Sequence, residues 1–203
     1  MVKTELERII ANTDSSLRLL VNPNLSDFFY WHFHPEYELV FIEGADGTRH
    51  VGEHVSRFSQ SDLVFIGSDI PHLNFDYGIK TQYEKMVVHI KPDFLKESFL
   101  STPELAPIHQ LFEQAKHGIA FGSQTKKLLG ARIKKIGEQN SFNQFLEVLS
   151  ILNELAHAND KELLHSKPVI NPHNEKEQSR LRKINQFLDA NFQRKMELQK
   201  LRN

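Results

Sequence analysis

The first ninety residues alternate between short apolar runs and turn-forming residues. The runs are rich in β-branched and aromatic side chains, and turn signals such as Asn22-Pro23-Asn24 and Gly67-Ser68-Asp69 separate them. Short runs at this spacing, with no helical period between them, are typical of the strands of a β-sandwich or small barrel. The predicted strands cover residues 17–21, 28–33, 37–42, 48–51, 63–66, 72–75 and 83–90.

The apolar period changes to a helical one after Pro92. Apolar residues recur at helical spacing from Pro103 and stop at Gly118, which predicts a first helix. Residues 128–136 carry a second such stripe and residues 142–156 a third. The third stripe is wider than one packing surface requires, which predicts a helix buried on two sides, in the core or against another subunit. Together with the strands, these helices predict an α+β protein.

The chain is predicted to continue into a second domain. Residues 166–178 contain two prolines and no periodicity, which is typical of a linker. Residues 179–203 form one more amphipathic helix, and a lone helix cannot bury its apolar face by itself. We therefore expect the chain to stop inside a second domain. The predicted organisation is an N-terminal arm at 1–15, a β-barrel at 16–97, a helical region at 98–165, the linker and this helix.

Composition narrows the class of protein. The 203 residues include no cysteine, which excludes disulfides, thiolate zinc sites and cysteine nucleophiles. The N-terminus lacks the features of a secretory signal, and no apolar run is long enough to span a membrane, so a cytoplasmic protein without membrane contact is expected. The net charge is −1, but residues 180–203 hold seven basic and two acidic side chains. That basic face could contact phosphate or simply be solvated.

The candidate chemistry lies in four residues. His32, His34 and Glu38 have even spacing, so on one extended strand their side chains would share a face, and His72 follows about forty residues later. Three imidazoles and a carboxylate suit a divalent transition metal such as Zn, Ni, Mn or Fe, with positions left for water or a small molecule. The alternative is a polar pocket in which the same groups hydrogen-bond water or an effector. Glu36 could replace Glu38 if Pro35 distorts the strand.

Other polar and apolar positions receive simpler interpretations. His50, His54 and His89 are interpreted as solvent-facing or packing histidines, although each could line the pocket. On the third helix, the wide apolar face favours a homodimer. The predicted dimerisation residues are Phe145, Leu149 and Leu152.

Two stretches of the sequence resemble the two cupin motifs. Residues 31–44 read Trp-His-Phe-His-Pro-Glu-Tyr-Glu-Leu-Val-Phe-Ile-Glu-Gly, and residues 61–72 end in Gly-Ser-Asp-Ile-Pro-His. More narrowly, they are similar to the N-terminal sensor domain of AraC-type transcriptional regulators. Residues 117–121 resemble the segment between the first helices of that family, and residues 180–192 resemble the opening helix of its DNA-binding domain.

The resemblance implies a cupin barrel (a double-stranded β-helix or jelly roll) that binds an effector, a helical dimerisation region and two helix-turn-helix units, of which this chain holds only the beginning. Two departures concern the cupin motifs: Ser26 lies near the place of an expected glycine, and residues 67–72 replace the pattern Pro-x-Gly-x-x-His. Because nothing matches a recognition helix, no sequence-specific DNA binding is expected of this chain itself.

Two functions follow from these observations. The first is the ligand-sensing and dimerisation region of an AraC-type regulator, not an enzyme, which binds a small molecule such as a sugar at His32, His34, Glu38 and His72. In that case DNA is contacted only through the C-terminal domain, and the arm at 1–15 can cover the pocket or a partner. The alternative is a metal-dependent cupin enzyme of the dioxygenase or isomerase type. The helices after Pro92 favour the regulator, because a standalone enzyme does not need them.

Overall fold

The computed structural model describes residues 4–9, 15–27, 29–94 and 101–171. The predicted helix at 179–203, most of the predicted linker and much of the predicted arm lie outside the described residues. The described residues as far as Ile170 belong to one compact unit. None of the helices in this part of the chain combines the length and apolar character needed to cross a membrane.

Two β-sheets and three α-helices make up the described part, so the predicted α+β class is confirmed. The first sheet has five strands in the order β1-β3-β8-β5-β6, and the second has six in the order β11-β10-β7-β4-β9-β2. The strands are β1 Glu5–Leu6, β2 Leu17–Val21, β3 Trp31–Phe33, β4 Tyr37–Glu43, β5 Gly47–Val51, β6 His54–Phe58, β7 Ser61–Ile66, β8 His72–Leu73, β9 Glu84–Ile90, β10 Ile119–Phe121 and β11 Lys161–Leu163. The α-helices are α1 Ala106–Ala115, α2 Ser123–Lys134 and α3 Ser141–His157, and 3-10 turns cover Pro103–Leu105 and Ile136–Glu138.

The seven predicted strands and the three helices predicted between Pro103 and residue 156 are present, but four strands of the described part were not predicted. β6 contains the polar sequence His-Val-Ser-Arg-Phe and has no apolar run, although it pairs with β5 along its whole length. β10 and β11 come after the first helix and extend the edge of the six-stranded sheet beside β7. β1 pairs with β3 in parallel over two residues. Such short strands form because a neighbouring strand supplies hydrogen bonds, which local sequence does not reveal.

The inner strands of the six-stranded sheet, β10, β7, β4 and β9, are buried on both faces. On β4, Leu39 and Phe41 pack in a core that includes the helices, whereas Val40 and Ile42 pack in a second core that includes residues of the five-stranded sheet. A strand covered on both faces is apolar throughout, which explains the unbroken run from Leu39 to Ile42. The parity of β4 therefore turns Glu38, like Val40, toward the space between the sheets.

The exposed face of helix α3 is not the one that contains the predicted dimerisation residues Phe145, Leu149 and Leu152. Leu152 is 0% exposed in the core, so it offers no surface to a second subunit, and its predicted place in a dimer contact is wrong. Phe145 and Leu149 are partly buried against the same core. The exposed apolar side chains of this helix are Phe142, at 66%, and Leu146, at 45%. The wide apolar stripe therefore reflects burial in the core together with a separate exposed patch.

Helix α2 approaches the sheet closely at Gly130. A Cβ atom there would lie 2.5 Å from Cζ of Phe41, whose ring is buried. We expect Gly130→Ala to lower the free energy of unfolding by about 1–3 kcal/mol through overpacking, although alanine favours a helix by about 1 kcal/mol over glycine. Urea denaturation measures the change. In a Phe41→Leu background the same substitution is expected to be neutral or stabilising, and an equal loss in both backgrounds would contradict this close packing.

Candidate ligand and metal site

The His-x-His-x-x-x-Glu sequence crosses from one sheet to the other. β3 ends at Phe33 and belongs to the five-stranded sheet, whereas β4 begins at Tyr37 in the six-stranded sheet, with Pro35 between them. The prediction of a single strand with its ligands on one face is therefore wrong. The four candidate residues still come together, because the two strands lie on opposite sides of the space between the sheets.

Two cross-strand pairs form the walls of this site. His32 on β3 is directly opposite His72 on β8, and Glu38 on β4 is directly opposite His89 on β9. His34 lies in the connection between β3 and β4, and its ring centroid is 5.1 Å from that of His72 and 5.0 Å from that of His89. All five side chains are buried. Each sheet thus contributes one pair, and His34 lies between the pairs.

The spacing of the candidate ligand atoms suits one metal ion. One ligand atom from each of His32, His34, Glu38 and His72 lies within 4.8 Å of the others. Nε2 of His34 is 3.0 Å from Oε2 of Glu38, and Nε2 of His72 is 3.6 Å from the same oxygen. Two ligands about 2.1 Å from one ion, at ordinary coordination angles, are about 3.0–3.4 Å apart. The observed separations are close to that range.

Hydrogen bonds to backbone carbonyls orient three of the imidazoles. A carbonyl oxygen only accepts, so each of these rings must donate through Nδ1, and Nε2 is the nitrogen that faces the site. Metal-binding histidines usually donate their second ring N–H in this way, which fixes the ring and its tautomer. The Nδ1 atoms of His32, His34 and His72 lie 2.9, 3.1 and 2.8 Å from the oxygens of Tyr30, Glu36 and Ile70, respectively.

The surroundings of Glu38 and His32 lower the pKa of both side chains, which keeps Glu38 charged and His32 neutral. Burial raises the pKa of Glu38, but the imidazoles of His72, His34 and His89 outweigh it and hold that pKa well below its usual value. Burial, followed by the nearby ring of His72, lowers the pKa of His32 to about 2. Around neutral pH the site therefore combines a carboxylate with a neutral imidazole, as metal ligation requires.

The site requires a positive charge. His34 carries a proton on Nδ1, so its Nε2 lone pair faces a carboxylate oxygen of Glu38 at 3.0 Å unless the ring holds a second proton or a cation lies there. Nε2 of His72 is buried and has no hydrogen-bond partner among the described residues. A buried nitrogen without a partner is costly. A divalent metal ion would satisfy both nitrogens, so these residues fit such an ion.

His89 lies in the site, which favours the alternative that it lines the pocket over its interpretation as a packing or solvent-facing residue. Its Nε2 lies 2.8 Å from Oε2 of Glu38, so it donates a hydrogen bond that orients the carboxylate. Lys85 and His89 lie on the same side of β9, with only Val87 between them on that side. That parity is the signal that could have identified His89. Knowing that His89 lies opposite Glu38 required the pairing of β9 with β4.

The remaining candidates lie elsewhere. Oε2 of Glu36 is 3.7 Å from Nδ1 of His34, on the side of the ring away from Glu38, so Glu36 does not take the place of Glu38. His50 and His54 are half-buried on β5 and β6, as their interpretation expected, and His54 contacts the Ser56 hydroxyl at 2.9 Å.

A cavity of about 40 Å³ adjoins the histidines, with His32, Glu38 and His89 in its lining together with Glu7 and Lys85. The Lys85 ammonium forms a buried ion pair with Asp76 at 2.7 Å. Pockets for drug-sized ligands measure about 300–1,000 Å³. At this volume the cavity has room for water or a small ion and is too small for a sugar.

Comparisons with known proteins give the following results. No protein-family model matches the chain, and no curated protein matches it significantly. Crystal structures of ToxT from Vibrio cholerae align with most of the chain: the apo K231A form has a TM-score of 0.45 at 11% identity and covers 93% of this chain and 69% of ToxT. The form with bound unsaturated fatty acid has a TM-score of 0.44 at 11% identity and covers 95% and 69%. Likenesses at these scores and identities support no functional inference.

Proposed function

We propose that this chain is the sensing part of an AraC-type transcription regulator, with a cupin β-sandwich that binds a small effector between its two sheets. The resemblance of residues 31–44 and 61–72 to the cupin motifs supports the class of protein. The observation that carries the proposal is the convergence of four buried polar side chains on one point between the sheets. A ligand at that point would contact both sheets, so its binding energy would depend on their arrangement.

We further propose that His32, His34, Glu38 and His72 hold a divalent transition metal. Two features support this assignment: the Nδ1 atoms of the three histidines face backbone carbonyls, and Nε2 of His72 lacks a partner among the described residues. By ligand type the ion is Zn, Ni, Mn or Fe. The bound ion would supply a positive centre that attracts an anionic or oxygen-bearing effector.

Sensing requires that the ligand bind one arrangement of the protein more tightly than another. In this proposal the arrangements differ at the boundary between the sheets, where His32 and His72 belong to one sheet and Glu38 belongs to the other. Ligand binding draws the two together and changes how the DNA-binding domains of a dimer are presented. Catalysis is not part of the proposal.

A transcription reporter tests the function. The complete chain is fused to a DNA-binding domain that represses a reporter gene only as a dimer, and Ni²⁺, Zn²⁺, Mn²⁺ and Fe²⁺ are added with and without sugars and hydroxy acids. We expect at least one addition to change repression about fivefold or more. His34→Ala should abolish the response, and His54→Ala, which removes a histidine outside the site, should retain it. Repression that no ion or compound alters would contradict the proposal.

The same proposal includes a homodimer that forms through helix α3. The exposed side chains Phe142 and Leu146 are the apolar surface of that helix. We expect Leu146→Glu to weaken dimerisation at least tenfold, about 1.4 kcal/mol, as measured by sedimentation equilibrium. Val55→Glu on the edge strand β6 is the matched control, because Val55 is also exposed and apolar. A wild-type monomer, or equal dimerisation of both variants, would contradict this interface.

A further inference from the structure

The N-terminal segment at residues 4–9 lies beside the site. In the parallel pairing of β1 with β3, Glu5 is opposite His32 and Leu6 is opposite Phe33. The next residue, Glu7, donates its backbone N–H to the carbonyl of Phe33 at 2.9 Å. Two paired residues form a weak strand by themselves. The position of this segment therefore depends strongly on any further contact that its side chains make.

Glu7 makes such a contact with a candidate ligand. Its Oε2 lies 3.2 Å from Nε2 of His32, and its side chain is 33% exposed whereas that of His32 is 4% exposed. Glu7 also lines the cavity of about 40 Å³ that His32, Glu38 and His89 line. The side chain of Glu7 is therefore partly exposed to solvent, while its carboxylate lies next to the buried ring of His32.

The contact joins two hydrogen-bond acceptors. His32 donates through Nδ1 to the Tyr30 carbonyl, so its Nε2 presents a lone pair to the carboxylate of Glu7. Two acceptors at this distance repel each other unless a proton or a cation lies between them. The separation of 3.2 Å also falls within the range of about 3.0–3.4 Å expected for two ligands of one ion. The separation of these two atoms is therefore that of two ligands of one ion.

We propose that Glu7 is a fifth protein ligand of the metal and that ion binding fastens residues 4–9 to β3. This inference rests on the proposed metal site. Three imidazole nitrogens and two carboxylate oxygens exceed the four ligands of a structural zinc site and suit ions that take five or six ligands. The ion then connects three parts of the protein, namely the N-terminal segment and the two sheets.

The test compares Glu7→Gln with Glu5→Gln. Both substitutions remove one carboxylate from the same segment, but Glu5 pairs with His32 only through its backbone, and its side chain is exposed and contacts no site histidine in the described structure. Binding of Ni²⁺ and Zn²⁺ is measured by competition with a chromophoric chelator. We expect Glu7→Gln to weaken Ni²⁺ binding at least tenfold, because even the loss of an outer partner of a ligand costs about 10–100-fold. Glu5→Gln should bind as the wild type does.

Hydrogen exchange provides a second measurement that does not depend on affinity. With saturating Ni²⁺, the backbone amides of residues 4–9 in the wild type should exchange at least tenfold more slowly than without the ion. Glu7→Gln, saturated with Ni²⁺, should lose this protection. The melting temperature of each variant without metal checks that the substitution leaves the fold intact.

The possible outcomes distinguish the two proposals. If the wild type binds neither ion, the metal site and the role of Glu7 are both wrong. If the wild type binds Ni²⁺ and His34→Ala does not, but Glu7→Gln retains both affinity and protection, the metal site is supported and the role of Glu7 is wrong. If Glu7→Gln binds Ni²⁺ more weakly and loses the protection of residues 4–9, while Glu5→Gln behaves as the wild type does, the metal site and the role of Glu7 are both supported.

Discussion

His34→Ala is expected to lower the affinity for Ni²⁺ or Zn²⁺ by more than 100-fold, because loss of an outer partner of a ligand alone costs about 10–100-fold. His34 has the central position: its Nε2 is 3.0 Å from Oε2 of Glu38, and its ring contacts those of His72 and His89. Elemental analysis of purified protein should give about one ion per chain for the wild type and none above background for the variant.

The metal should also stabilise the folded protein. An ion at 100 times its dissociation constant adds about 2.7 kcal/mol to the free energy of unfolding if it does not bind the unfolded chain. We expect this gain in the wild type and in the control His54→Ala, which keeps all five buried site residues. His34→Ala should show no gain. Equal stabilisation of all three proteins would indicate binding elsewhere and would contradict the site.

The second large effect is expected at the ion pair between Asp76 and Lys85. Both side chains are buried, and Asp76 also accepts hydrogen bonds from the Tyr83 hydroxyl at 2.7 Å and the Leu25 backbone N–H at 2.9 Å. Asp76→Asn would leave the Lys85 ammonium buried without an opposite charge. We expect the free energy of unfolding to fall by about 3–5 kcal/mol, as is typical when one partner of a buried pair is removed.

A matched variant controls for the loss of a carboxylate. Asp27 pairs with Lys80 at the surface, where both side chains are mostly exposed, so Asp27→Asn should change stability little. The double variant Asp76→Asn/Lys85→Met should recover part of the loss, because the unpaired charge is gone. Urea denaturation measures all of these. Equal effects of Asp76→Asn and Asp27→Asn would contradict the importance of the buried pair.

The pair also has an expected pH dependence. Burial raises the pKa of Asp76, but the charge and hydrogen bond of Lys85 outweigh it, so that pKa lies below its usual value. A carboxyl group whose pKa falls on folding stabilises the protein above its unfolded pKa, near 3.9, and loses that contribution as the pH falls through the folded value. Below about pH 4, stability should therefore decrease more steeply in the wild type than in Asp76→Asn.

The class of fold and the residue types of the candidate site could be predicted from the sequence. Apolar period is a local property, so β-strands before Pro92 and helices after it could be predicted from neighbouring residues alone. The sequence also showed that His32, His34, Glu38 and His72 could be metal ligands, because the type of ligand depends only on the identity of the side chain. Their assignment to one site also followed from the resemblance of residues 31–44 and 61–72 to the two cupin motifs.

The way in which these residues meet depends on long-range strand pairing and could not be predicted from the sequence. Parity tells which side of its own strand a residue occupies, but not which strand lies opposite, because pairing joins residues far apart in the chain. His89 therefore became a partner of Glu38 only through the register of β9 with β4, and Glu7 reached His32 only through the pairing of β1 with β3. The burial of Leu152 could not be predicted either, because a wide apolar stripe on a helix does not show which of its sides packs against the core.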